Sequence, residues 1–112
     1  MSTRLALKDL EPGATSLFVS YGITAGGMRE AVSRIRALGK RVSALTVQSL
    51  WPVPEHAIRD AFVGITRIVV AELNHGQYRR EIERLAQGIE VVGLHRVDGE
   101  LIAPDAFMEA VL

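Results

Sequence analysis

The chain has 112 residues, with 13 basic and 13 acidic side chains, 48% hydrophobic residues and no cysteine. That length and apolar content suit one domain with a real core, and the balanced charge offers no basic field to hold a polyanion, so nucleic acid is not an expected partner. Without cysteine, the chain's own residues cannot make disulfides, thiolate zinc sites, cysteine-based catalysis or cysteine-ligated iron–sulfur clusters.

Residues 1–15 read as an N-terminal connector, with Leu5, Leu7 and Leu10 able to cover a neighbouring surface and Glu11-Pro12-Gly13 forming a turn. The domain proper is expected over residues 16–112. Leu17 to Tyr21 is a short apolar run stopped by Gly22, which predicts a buried strand. Met28, Ala31, Val32, Ile35 and Leu38 recur at helical spacing, and Gly39 follows where a helix C-terminal glycine belongs, so a helix is predicted from about Ala25 to Leu38. A second strand runs from Val42 to about Leu50 and is broken by Trp51-Pro52-Val53-Pro54. Pro54 can occupy the first turn of a second helix with Ala57, Ile58, Ala61, Phe62 and Ile65 inward. Ile68 to Ala71 is a third strand, and a third helix capped by Asn74 carries Tyr78, Ile82, Leu85 and Ala86 on one face. Ile89 to about Arg96 is a fourth strand, Asp98-Gly99 a tight turn, Leu101-Ile102 one more short strand, and Pro104 opens a last helix with Phe107, Ala110 and Val111 inward. Alternating strands and helices predict an α/β fold, a three-layer α/β/α sandwich around a mostly parallel five-stranded sheet. Apolar runs such as Ile68–Ala71 fall far short of the ~20 residues a membrane span needs, and no secretory h-region opens the chain. The expectation is a cytoplasmic protein with no membrane partner.

In their order and spacing, Ser20-Tyr21-Gly22, Arg29-Glu30-Ala31-Val32, Leu50-Trp51-Pro52-Val53-Pro54, Glu72-Leu73-Asn74-His75-Gly76-Gln77 and Val97-Asp98-Gly99-Glu100, with Ile102 and Pro104, form a recognisable series. The series resembles the second domain of 2-oxoacid:ferredoxin oxidoreductase α subunits, of the 2-oxoglutarate, branched-chain and pyruvate types. The resemblance covers about residues 16–112. It implies a transketolase C-terminal-like fold, five strands with one antiparallel. It also implies an assembly that oxidatively decarboxylates a 2-oxoacid on thiamine diphosphate, passes electrons through iron–sulfur clusters to ferredoxin and hands the acyl group to coenzyme A. Such α subunits carry a thiamine-enzyme-like domain ahead of this one, and these 112 residues hold no counterpart. The expectation is therefore a non-catalytic structural or assembly domain, as a small subunit or a piece of a longer polypeptide. Its partners would be thiamine-binding and iron–sulfur subunits, and this chain would itself bind no cofactor.

The residues leave several readings open. In an open parallel sheet, ligands sit at the carboxyl ends of strands. The Glu72–Gln77 segment is predicted at such an end, where Gly76 permits close approach, yet Asn74 and Gln77 can equally cap a helix. Tyr21, Gly22, Trp51, Glu72, Asn74, Gly76 and Gln77 are the candidate ligand or subunit contacts. Trp51 can anchor a partner or pack in the core. The Gly22–Gly27 loop matches neither the dinucleotide nor the P-loop spacing. His56, His75 and His95 stand singly, without metal spacing. No serine lies in a nucleophile elbow, so no catalytic residue is assigned. Val97-Asp98-Gly99 lacks the leading glycine of a thiamine diphosphate motif. The alternative to an assembly role is a free-standing small-ligand or nucleotide-binding regulatory module using the strand ends near Gly22 and Gly76.

Overall fold

A computed structural model describes residues 6–21, 25–47, 55–72, 77–95 and 104–111. In chain order the elements are β1 (Ala6–Asp9), β2 (Ser16–Tyr21), α1 (Ala25–Ala37), β3 (Ser43–Val47), α2 (Glu55–Ala61), β4 (Arg67–Glu72), α3 (Gln77–Leu85), β5 (Glu90–His95) and α4 (Pro104–Val111). The strands form one sheet in the order β1-β3-β2-β4-β5, parallel throughout except for β1, which runs antiparallel to β3. The predicted α/β/α sandwich with five strands, one of them antiparallel, is the observed fold.

Helices cover both faces, which is why the strand sequences are nearly continuous in apolar residues rather than alternating. Phe18, Ala44, Val69 and Ala71 face one layer, where they bury Met28, Ala31, Val32 and Ile35 of α1 and Phe107 of α4. Leu17, Val19, Leu45, Val47, Ile68 and Val70 face the other, against Ile58 and Ala61 of α2 and Ile82 and Leu85 of α3. Phe18 and Phe107 meet edge to face, with ring centroids 5.2 Å apart and an interplanar angle of 64°. α1 ends as its sequence predicts: Gly39 takes φ +80, and the amides of Gly39 and Lys40 bond back to the carbonyls of Arg36 and Ile35. Phe62 and Ile65 lie beyond the end of α2, in the turn leading to β4, and are still buried.

One expectation changes. Residues 6–9, read as part of a connector, form the edge strand β1. Its sequence, Ala-Leu-Lys-Asp, has neither β-branched residues nor a clear alternation. Contacts distant in sequence hold it instead. Lys8 pairs with Asp60 of α2, Arg36 of α1 bridges Asp9 and Glu11, and the Glu11 amide donates to Ser43 Oγ. The antiparallel strand of the sheet is thus β1; Leu101-Ile102 lies outside the described residues.

Candidate functional site

The four parallel strands end along one edge of the sheet. Tyr21 stands beside Val47, Ser20 beside Ala71, and Glu72 beside His95, so the last residues of β3, β2, β4 and β5 form a single row. All four helices begin after that edge, so their N-termini gather there. Neither α1 nor α3 has an acidic residue in its first turn to offset the positive end of the helix dipole. α2 does have one, and its Glu55 is engaged elsewhere, bridging Arg59 one turn on and Arg84 of α3. The Arg84 guanidinium donates to Glu81 and also approaches Glu55, and these carboxylates raise its pKa.

Within the row, one position differs from the rest. From β2 the chain crosses to β3 on the α1 side, whereas from β4 it crosses to β5 on the α3 side. A single crossover hand requires those helices to sit on opposite faces. The connections therefore diverge between β2 and β4, which makes the carboxyl ends of these two strands the topological switch point, the usual binding position in an open α/β sheet. Ser20 lies one residue before this switch point; it is fully buried, and its hydroxyl has no hydrogen-bond partner among the described residues.

The sequence-derived candidates are distributed around the same place. Tyr21 and Glu72 are the terminal residues of the two strands that flank the switch point, and Gln77 is the first residue of α3. Gly22, Trp51, Asn74 and Gly76 lie outside the described residues. His95, set aside in the sequence as a solitary histidine, is placed beside Glu72 by the β4–β5 register. Only the strand order could reveal that adjacency. Among the described residues no three His, Asp or Glu side chains come together as a metal site, and no helix is long and apolar enough to cross a membrane. The described residues supply no constellation of nucleophile, base and oxyanion donor.

A five-stranded mixed sheet with one antiparallel edge strand and helices on both faces is the fold of a transketolase C-terminal-like domain. Among the solved structures that share the fold are these three. 2-Oxoglutarate:ferredoxin oxidoreductase from Magnetococcus marinus, solved with 2-oxoglutarate, coenzyme A and succinyl-CoA bound, superposes with a TM-score of 0.83 at 23% identity, over 97% of this chain and 19% of that one. A split-gene transketolase in an inactive β4 tetramer gives 0.68 at 20% identity, over 94% and 36% of the two chains. The α chain of a probable 2-oxoacid ferredoxin oxidoreductase from Thermoplasma acidophilum gives 0.54 at 17% identity, over 94% of this chain and 91% of that one.

Sequence narrows the class. Residues 14–107 match the family model for pyruvate:ferredoxin oxidoreductase core domain II, and the chain belongs to that family. The 2-oxoglutarate synthase subunit KorA of Methanothermobacter marburgensis is 33% identical over 117 aligned positions, spanning 100% of this chain and 31% of the relative. The ketoisovalerate oxidoreductase subunit VorB of Methanothermobacter thermautotrophicus is 38% identical over 90 positions, 80% of this chain and 25% of the relative. The chain thus spans a third or less of the length of these relatives, which are named as subunits of 2-oxoacid oxidoreductases.

Proposed function

We propose that this chain is a structural and assembly domain, or small subunit, of a thiamine-diphosphate-dependent 2-oxoacid:ferredoxin oxidoreductase. In this reading the complex decarboxylates a 2-oxoacid oxidatively to an acyl-CoA in the cytoplasm. The observation that carries it is the match of residues 14–107 to core domain II. The Thermoplasma α chain, nearly all of which aligns with this chain, supports the small-subunit form.

In this reading the cofactors of the complex are held by its other subunits. Without cysteine the chain cannot itself ligate an iron–sulfur cluster, and thiamine diphosphate is assigned to a thiamine-binding partner. The role of this chain is positional. The carboxyl ends of β2 and β4, where Tyr21, Glu72 and the start of α3 lie, are the surface offered to a thiamine-binding partner. Uncompensated helix N-termini favour acidic or phosphate-bearing groups there. An iron–sulfur subunit completes the assembly. The relatives' substrates differ, 2-oxoglutarate for one and ketoisovalerate for the other by their names, so the assignment stops at 2-oxoacids.

The test is the native mass and composition of whatever contains this chain in its source cells. Co-migration with thiamine-diphosphate-binding and iron-containing subunits is the expected result. Migration free of both overturns the proposal and favours the ligand-binding module instead.

A further inference from the structure

Strand β5 is an outer strand of the sheet, and one side of it meets no other strand among the described residues. The Glu90 amide donates to the Thr66 carbonyl at the head of β4, at 3.3 Å. Backbone groups along a strand turn alternately to its two sides. Glu90, Val92 and Leu94 therefore bond toward β4, and Val91, Gly93 and His95 turn theirs outward. Such a row is a template for a further strand. The other outer strand, β1, is four residues long and carries Lys8 and Asp9, and shortness and charge both discourage pairing. β5 has six residues, and the four between its ends are Val91, Val92, Gly93 and Leu94, half-buried and uncharged. It has no such protection of its own.

Helix α3 supplies it. Arg79 leaves the first turn of α3, and its Nη2 donates at 3.3 Å to the Val91 carbonyl, one of the outward-turned groups. The side chain reaches that carbonyl by lying across Gly93, where a Cβ would stand 2.9 Å from Arg79 Cδ and 3.2 Å from Nη1. Glu83, one turn along α3, pairs with the same guanidinium at 3.5 Å and holds it from the helix side. Glycine weakens the interior of a strand and often marks a place where another group approaches closely. At position 93 the approaching group is this arginine, and a side chain there would meet it.

We propose that Arg79 is a latch on the β5 edge: lying over Gly93, it occupies the Val91 carbonyl, sets a fixed positive charge beside the outer strand, and so keeps the sheet from adding a further strand. The latch lies along the side of the sheet rather than at the carboxyl ends of β2 and β4. It is therefore independent of the assembly role and is measured on the chain alone.

Sedimentation velocity across a concentration series of the purified full chain tests it, with a circular dichroism melt to establish folding. R79A should self-associate at least roughly tenfold more tightly than wild type, since the charge no longer opposes pairing at the edge. G93V, which displaces the arginine from the side of the strand, should do the same, and it decides the matter alone if R79A does not fold. The R79A/G93V double variant should associate no more tightly than R79A, because both substitutions undo one contact. Adding V91P to R79A should return the wild-type behaviour, since proline there removes an outward amide and no bond of the β4–β5 ladder. Folded R79A and G93V that match wild type up to about 1 mM, where even a millimolar Kd would be visible, overturn the proposal. So do fully additive effects of R79A and G93V, and so does an association that V91P leaves unchanged.

Discussion

Replacing Phe107 with alanine tests whether α4 is an integral part of the domain. The family match ends at Phe107, halfway along the helix, and the Phe107 ring is fully buried in the α1 layer. The ring meets Phe18 edge to face at 5.2 Å, and Phe18 sits at the middle of β2, itself the middle strand of the sheet. Truncating a buried phenylalanine costs about 3–5 kcal/mol through lost burial and the cavity left behind, of which ~0.5–1.5 kcal/mol reflects the aromatic pair. Against a typical domain stability of about 5–15 kcal/mol, that loss is large. It corresponds to a melting temperature lower by roughly 10–25 °C for a chain of this size. The assay is urea unfolding followed by far-ultraviolet circular dichroism, with Phe107→Leu as a control expected to lose about 1–1.5 kcal/mol. A Phe107→Ala loss below about 1.5 kcal/mol would mean that α4 is a loosely attached appendage, and the account of the α1 layer as one closed core would fail.

Two further substitutions probe the sheet. Ser20→Ala should leave stability unchanged or raise it by about 1 kcal/mol, because a buried hydroxyl without a partner carries a desolvation cost that alanine removes; a loss above about 1 kcal/mol in the same unfolding assay would show that the hydroxyl is satisfied. Gly93 of β5 lies under Arg79 of α3, whose guanidinium donates to the Val91 carbonyl at 3.3 Å, and a Cβ at Gly93 would stand 2.9 Å from Arg79 Cδ. Gly93→Ala should therefore cost about 1 kcal/mol in the wild-type background and nothing in an Arg79→Ala background, and equal costs in both would refute the steric account.

The strands and helices legible in the sequence are those whose stability is local or whose pattern is dense. β2 and β4 are apolar runs that only a two-sided sheet accommodates, and α1 shows both its inward stripe and the glycine that ends it. β1 was not legible, because Ala-Leu-Lys-Asp becomes a strand only where Asp60, Arg36 and Ser43 hold it. The same distinction applies to the site. Tyr21 and Glu72 could be read as strand ends from the residues that follow them. That they end neighbouring strands, with His95 next in the row, depends on strand order, which no local pattern carries. The Arg79–Glu83 pair within α3 follows from i,i+4 spacing on any helix, whereas Arg84 reaching Glu55 of α2 depends on how the two helices pack.

Because both faces of the sheet are closed by the chain's own helices, the residues that would have to change for this domain to serve a different assembly are few. Substituting the inner faces of β2, β4, α1 or α3 destroys the core before it alters any contact. Variation in function must therefore fall on the two ends of the strands, where the connections lie and where packing imposes least. Those ends are chemically unlike. The carboxyl end collects the N-termini of the helices about the switch point between β2 and β4. The amino end carries the turns on which Leu10, Leu38 and Val63 stand exposed. A domain built in this way can change its contacts at the strand ends without disturbing the core between them.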